Sequence, residues 1–262
     1  MIHLKKKYIL EVKADNELAS VLNSAPVEET FNQQLETTSL GDHYALVYTD
    51  TGQIFQTFKY EENGVTYLIP EPDPIIMYFD NARFYVKHLQ SQRETVFENL
   101  RMFSNNIGAV NGNFYSYFTM ASTYALALFT SIEAFINKII PSNFEYRREV
   151  QDKRTEVYTR DQIQRYVDFT EKLKYVIPQI TGKNFVSENG HKYDIIKKLK
   201  TFRDEIAHTK TYQGPNNPNH YEDLFATSLK FDYENTLLVI KDFINYYKPG
   251  LIEECNCGRT EE

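Results

Sequence analysis

The first 70 positions of the chain read as short apolar runs separated by turns, and a three-to-four-residue rhythm follows. The runs Tyr8–Val12, Tyr44–Tyr48, Ile54–Phe58 and Val65–Ile69 are rich in β-branched and aromatic residues, the composition of strands. A Thr51-Gly52 turn and an Asn63-Gly64 dipeptide separate the last three, and Asn-Gly between β-rich runs predicts a tight hairpin. Positions 16–38 are less patterned and read as a short helix around Glu17–Leu22 followed by a polar loop. Pro70, Pro72 and Pro74 then interrupt the chain and predict a boundary.

Beyond that boundary the spacing predicts helices to the end. From Tyr78 to Phe103 the residues Ala82, Val86, Leu89, Val96, Leu100 and Phe103 share one side. Asn113 to Ile140 is the most apolar helix and stops at Pro141. Residues Arg147 through Lys174 are highly charged, with acids and bases nearly balanced, and read as a solvent-facing helical excursion. A helix from His191 to about Thr211 presents Tyr193, Ile196, Leu199, Phe202 and Ile206 as its apolar stripe. A Gly214–Pro218 loop and a last helix, Asp232 to Tyr247, complete the pattern. The expected organisation is a strand-rich region (1–70), a helical domain (75–250) and an acidic tail (251–262). The fold class is mainly α, and α+β overall.

Composition narrows the options. At 42% hydrophobic and 15% aromatic residues the chain can fill a core, with Tyr and Phe replacing the absent Trp. A net charge of −7 argues against a protein coated all over in nucleic acid. The balance reverses locally: between His191 and Tyr212 there are six Lys or Arg against three acids, as a polyanion site requires. The apolar stretch Tyr124–Phe129 is too short to span a bilayer and is soon followed by Glu133 and Lys138, so it reads as a buried helix with no role in a membrane. The basic start Met1–Lys7 leads into a strand-like run rather than an apolar leader, and a cytoplasmic address is expected. Cys255 and Cys257 supply too few ligands for a structural zinc site, and the six histidines show no metal-ligand spacing, so no metal and no cofactor are expected.

The candidate chemistry lies in Arg203-Asp204-Glu205-Ile206-Ala207-His208. Arginine forks onto phosphate oxygens, and histidine exchanges protons near neutral pH. Together they can cleave RNA without a metal, one taking the 2′-hydroxyl proton and the other holding the phosphate. At about 100° per residue, Arg203 and His208 lie about 140° apart on the wheel, so one helix does not bring them to a single atom. Two copies packed about a twofold axis near Ala207 would. A solvated charged face explains the same spacing without function. On the most apolar helix, Ser116, Thr119, Thr123, Thr130, Glu133 and Asn137 form a polar line, of which Glu133 needs a partner; Arg203, Lys138 or a second subunit are the candidates.

With the inner-helix run Phe129–Asn137 ahead of it and a loop and last helix behind, this Arg-x4-His motif resembles that of the HEPN superfamily over residues 78–248. The resemblance implies an up-and-down helical bundle and a homodimer. It implies a metal-independent endoribonuclease, often a toxin or phage-defence effector with an RNA substrate and an antitoxin or regulatory partner. It also implies Arg203 and His208 as catalytic residues, with Asp204 and Glu133 supporting them. Lys200, Lys197 and Thr211 are the expected substrate-binding residues. The alternative is a non-catalytic, dimerising HEPN-like module that binds nucleotide, RNA or protein.

Overall fold

The computed structural model describes residues 3–9, 12–13, 36–40, 43–48, 53–101, 107–150, 154–210, 212–214 and 217–255. The chain is mostly helical, with small antiparallel sheets, and divides into two compact units. One comprises Met1–Met77 with Cys255–Glu262; the other is Tyr78–Glu254. The short helix expected around Glu17–Leu22 lies outside the described residues.

In the first unit, strands β1 (Val12–Lys13), β2 (Glu36–Leu40), β3 (Tyr44–Tyr48), β4 (Gln53–Glu62) and β5 (Val65–Pro70) form one antiparallel sheet. The longest strand, β4, organises it: β3 pairs along one edge, while β1 and β5 share the other. Strand β2 falls in a segment the sequence pattern assigns to a polar loop. Its Glu-Thr-Thr-Ser-Leu composition has almost no apolar alternation, and pairing with β3 supplies the order instead. The Asn63-Gly64 turn forms as expected, with Glu62 paired to Val65 and both turn residues at positive φ (54° and 77°). Asp73 caps the helix that follows, accepting from the Ile75 N–H, and Pro74 occupies the first helical position, where its missing N–H costs nothing.

The second unit is built on two long helices, α1 (Pro74–Arg101, which begins in the first unit) and α2 (Ile107–Ile139). Ala82, Val86, Leu89 and Val96 of α1 are buried as expected, but Leu100 is exposed and Phe103 lies outside the described residues. Helix α2 is the core. Tyr117, Ala121, Tyr124, Ala125, Leu128, Phe129, Ile132, Phe135 and Ile136 are essentially inaccessible to solvent. Over Asn111–Ile139 the helix is long and apolar enough to cross a membrane by length and composition, yet 56% of its most apolar window is buried inside the fold. Its tyrosine tips are satisfied by backbone: Tyr117 donates to the Ser228 carbonyl and Tyr124 to that of Tyr233, each at 2.6 Å. The polar line is satisfied within the helix, where Thr119, Thr123 and Thr130 each donate to the carbonyl four residues earlier.

The charged segment after α2 is not a helical excursion. It opens with a hairpin, β6 (Tyr146–Val150) and β7 (Arg154–Tyr158). Exposure alternates along both strands, and the inward side mixes the buried Tyr146 with Arg148, Glu156 and Tyr158. Arg148 bonds Glu156, Tyr158 and Glu171, so charge pairing joins the Tyr146 packing in holding this hairpin down. Short helices follow: α3 (Arg160–Tyr166), α4 (Phe169–Glu171), a π-helical turn (Lys172–Val176), α5 (Ile177–Thr181) and α6 (Phe185–Glu188). Their Ile163, Phe169, Leu173, Val176, Ile177 and Phe185 are buried.

Helix α7 (Gly190–Ala207) carries the Arg-x4-His motif and packs on α2. The expected loop is bracketed by two short strands, β8 (Tyr212–Gly214) and β9 (Asn217–His220). Helix α8 (Glu222–Lys230), which periodicity does not announce, precedes α9 (Tyr233–Tyr247). Asp232 caps α9, and the chain turns at Pro249-Gly250 as expected. Leu251 and Ile252, at the start of the expected acidic tail, are buried, and Asn245 bonds the Ile252 backbone twice.

A β-carbon at Gly64 would meet nothing within 4 Å, so only the left-handed backbone penalises a side chain there. Gly64→Ala should therefore destabilise the strand-rich unit by about 1–2 kcal/mol without altering its contacts. Chemical denaturation followed by tyrosine fluorescence would measure this, and an unchanged midpoint would contradict the turn assignment.

Candidate catalytic site at the end of helix α7

Helix α7 buries Tyr193, Ile195, Ile196, Leu199 and Phe202, while Ile206, expected in the same stripe, is only half-buried. The helix ends at Ala207. His208 is its C-cap, with φ −121° and ψ 46°, and its N–H donates to the Asp204 carbonyl at 2.9 Å.

Arg203 follows Phe202 and therefore sits at the edge of the core. Its guanidinium lies over the Phe129 ring of α2, 3.9 Å from the centroid, a close cation–π approach. Nη1 meets Asp204 Oδ1 at 2.9 Å and Nη2 meets Glu133 Oε1 at 3.4 Å. The second contact is long for a charge-assisted pair, so Glu133 is held loosely. Lys200 Nζ bonds the other oxygen of Asp204 at 2.7 Å. Arg203 Nε is buried without a hydrogen-bond partner. Of the partners the sequence offers for Glu133, Arg203 is thus the one in contact.

Burial raises Glu133 above the ordinary carboxylate range; Arg203, Lys172 and Lys200 oppose the rise, and Asp204 reinforces it. Lys172 is absent from any sequence motif, one of two lysines flanking the apolar Leu173, yet its side chain is buried in the π-helical turn. Burial lowers its pKa, against the pull of Glu133 and Asp168. Its Nζ donates to the Gln164 carbonyl at 2.8 Å, and Gln164 Nε2 donates to that of Asn137 at 3.2 Å.

Four of the expected residues therefore gather: Arg203, Asp204, Glu133 and Lys200. The others do not join them. His208 and Ala207 are exposed, and no hydrogen bond or ion pair links the His208 side chain to Arg203 within the chain. Lys197 pairs with Asp194 at 2.7 Å and lies over the Tyr193 ring. It lines a different groove of about 990 Å³ between α7, α8 and α9, with Lys198, Glu205, Asp223 and Phe231. Its place on the wheel turns it away from Arg203. Thr211 lies outside the described residues. Among the described residues no group of three or more His, Cys, Asp or Glu is placed to hold a metal ion. No family model, curated protein or solved structure matches the chain.

Glu133 supplies a pH test. A carboxyl with a raised folded-state pKa contributes stability fully below its unfolded pKa and loses it as pH rises through the folded value. Arg203→Met removes the strongest force opposing that rise, so Glu133 should titrate higher still. Carboxyl ¹³C NMR would follow the midpoint in both proteins; a midpoint that stays put or falls would show that the pair is not coupled.

Proposed function

We propose that the helical unit is a HEPN-like endoribonuclease domain that cleaves RNA in the cytoplasm without a metal and acts as a homodimer. One observation carries this reading. The exposed end of α7 presents an imidazole without a side-chain hydrogen-bond partner among the described residues, and the same helix carries an arginine already oriented by a ring and two carboxylates. The exposed Ala207 between them is the small residue that lets two such helix ends approach.

In a dimer, His208 of one copy and Arg203 of the other would face one phosphodiester. His208 takes the proton of the 2′-hydroxyl, and the oxygen attacks phosphorus. The 5′-oxygen leaves, collecting a proton from a protonated histidine or water. Arg203 balances the charge that grows on the non-bridging oxygens. Products are a 2′,3′-cyclic phosphate and a 5′-hydroxyl. Asp204 and Glu133 orient the guanidinium, and Lys200 holds Asp204. A toxin or phage-defence role, with a restraining antitoxin or regulatory partner, is the biological setting that fits such an enzyme.

A second reading, a non-catalytic dimerising module for nucleotide, RNA or a partner protein, draws on the same geometry. Both terminal nitrogens of Arg203 are engaged and its Nε is buried, as in a structural arginine.

Incubation with total cellular RNA in EDTA separates the two. The enzyme reading expects cleavage that persists under chelation and falls by about 10²-fold or more in His208→Ala. Arg203→Lys should be severely impaired as well, because lysine lacks the planar fork. Light scattering should report a dimer. The module reading expects no cleavage, a folded and unaffected His208→Ala, and loss of stability in Arg203→Ala. Equal cleavage by wild type and His208→Ala would refute the enzyme.

A further inference from the structure

For Arg203 to accept a phosphate, something must happen to the carboxylate already on it. Glu133 Oε1 sits 3.4 Å from Nη2, and a second anion arriving there would be repelled. The surroundings of Phe129 show where Glu133 can go. The Phe129 ring meets Arg203 at 3.9 Å and Phe169 at 4.7 Å. Glu133 lies one turn beyond Phe129 on α2, and Lys172 lies one turn beyond Phe169 on the next helical segment. The two cations thus approach one patch of α2 from two different elements. Lys172 is tied down there by its bond to Gln164, which is itself tied to Asn137, one turn beyond Glu133. The ammonium is carried on a π-helical turn, a departure from regular helix that often marks functional positions.

We propose that Lys172 is a positioning residue of this site: it gives Glu133 a second cation to turn towards, so that the carboxylate releases Arg203 when a phosphate binds. This rests on the reading of Arg203 as the phosphate-binding group. The exchange forms and breaks no covalent bond. Glu133 moves between two cations, and the phosphate takes the vacated Nη2. The charged groups facing Glu133 are Arg203, Asp204 and Lys200 from α7 and Lys172 from the π-helical turn; Asp168 also faces Lys172. Asp204 stays with Nη1 and Lys200 throughout, so the arginine keeps its orientation while one of its nitrogens changes partner.

Sulfate, which keeps its charge across the working range, serves as the probe on the full chain at about pH 8. The ¹⁵N resonance of the buried Arg203 Nε, assigned with Arg203→Lys, reports occupancy. Lys172→Gln keeps a donor for the Gln164 carbonyl but loses the charge, and should weaken sulfate binding about fivefold or more. Lys172→Met should do the same, and Lys172→Arg should bind like wild type. Glu133→Gln should bind more tightly than wild type, and Lys172→Gln should then cost nothing in the Glu133→Gln background. An equal cost in both backgrounds would make Lys172 a direct contributor of charge and overturn the proposal, as would wild-type affinity in Lys172→Gln. If RNA is cleaved in EDTA but this pattern is missing, the role of Lys172 alone falls. If neither wild type nor Glu133→Gln responds to sulfate at Arg203, the phosphate-binding reading falls with it.

Discussion

The burial of the apolar side of helix α2 governs the helical unit. A helix carrying Tyr117, Tyr124, Leu128, Phe129, Ile132 and Phe135 out of water forces its neighbours to cover it, and α7, α8 and α9 pack against it. Each such side chain contributes about 1.5–3 kcal/mol on burial, far more than any surface ion pair in the unit. Several of its polar groups find partners. The tyrosine hydroxyls meet backbone carbonyls, the threonines bond back along their own helix, and Glu133 emerges where α7 brings Arg203.

The candidate site is a consequence of that packing. Arg203 is held because Phe202 beside it must be buried, and Phe129 is the surface its guanidinium meets. A cation on an aromatic face keeps its charge while giving up part of its hydration. The cluster is close to balanced: Arg203, Lys200 and Lys172 against Glu133 and Asp204.

Charge also does structural work where apolar residues are scarce. In the β6–β7 hairpin, Arg148 gathers Glu156, Tyr158 and Glu171, and Tyr146 donates to the other oxygen of Glu171. The inward face of a strand is usually read from its hydrophobic residues. Here much of it is read from pairing within the hairpin, and Glu171, brought alongside by the helices that follow, completes it.

Local physics was legible in the sequence where one element satisfies itself. The Asn63-Gly64 turn, the apolar length of α2, the stripe of α7 and the last helix after Asp232 each follow from neighbouring residues, through backbone preference or helical spacing. The Arg203–Glu133 contact was foreseeable because a carboxylate on an apolar helix needs a partner and few cations were placed to provide one. What remained hidden depends on residues far apart in the chain. Strand β2 has no alternation of its own and is ordered by β3; the β6–β7 hairpin is tied to the helices that follow through Glu171. Lys197 lies only three residues from Lys200, yet the packing of α7 against α8 and α9 assigns it to another groove. Lys172 belongs to no motif, and only the tertiary fold sets its charge against Glu133. The reason is common to all four cases: an isolated helix or strand decides which residues share a face, while burial and charge pairing are decided by what the rest of the chain lays on that face.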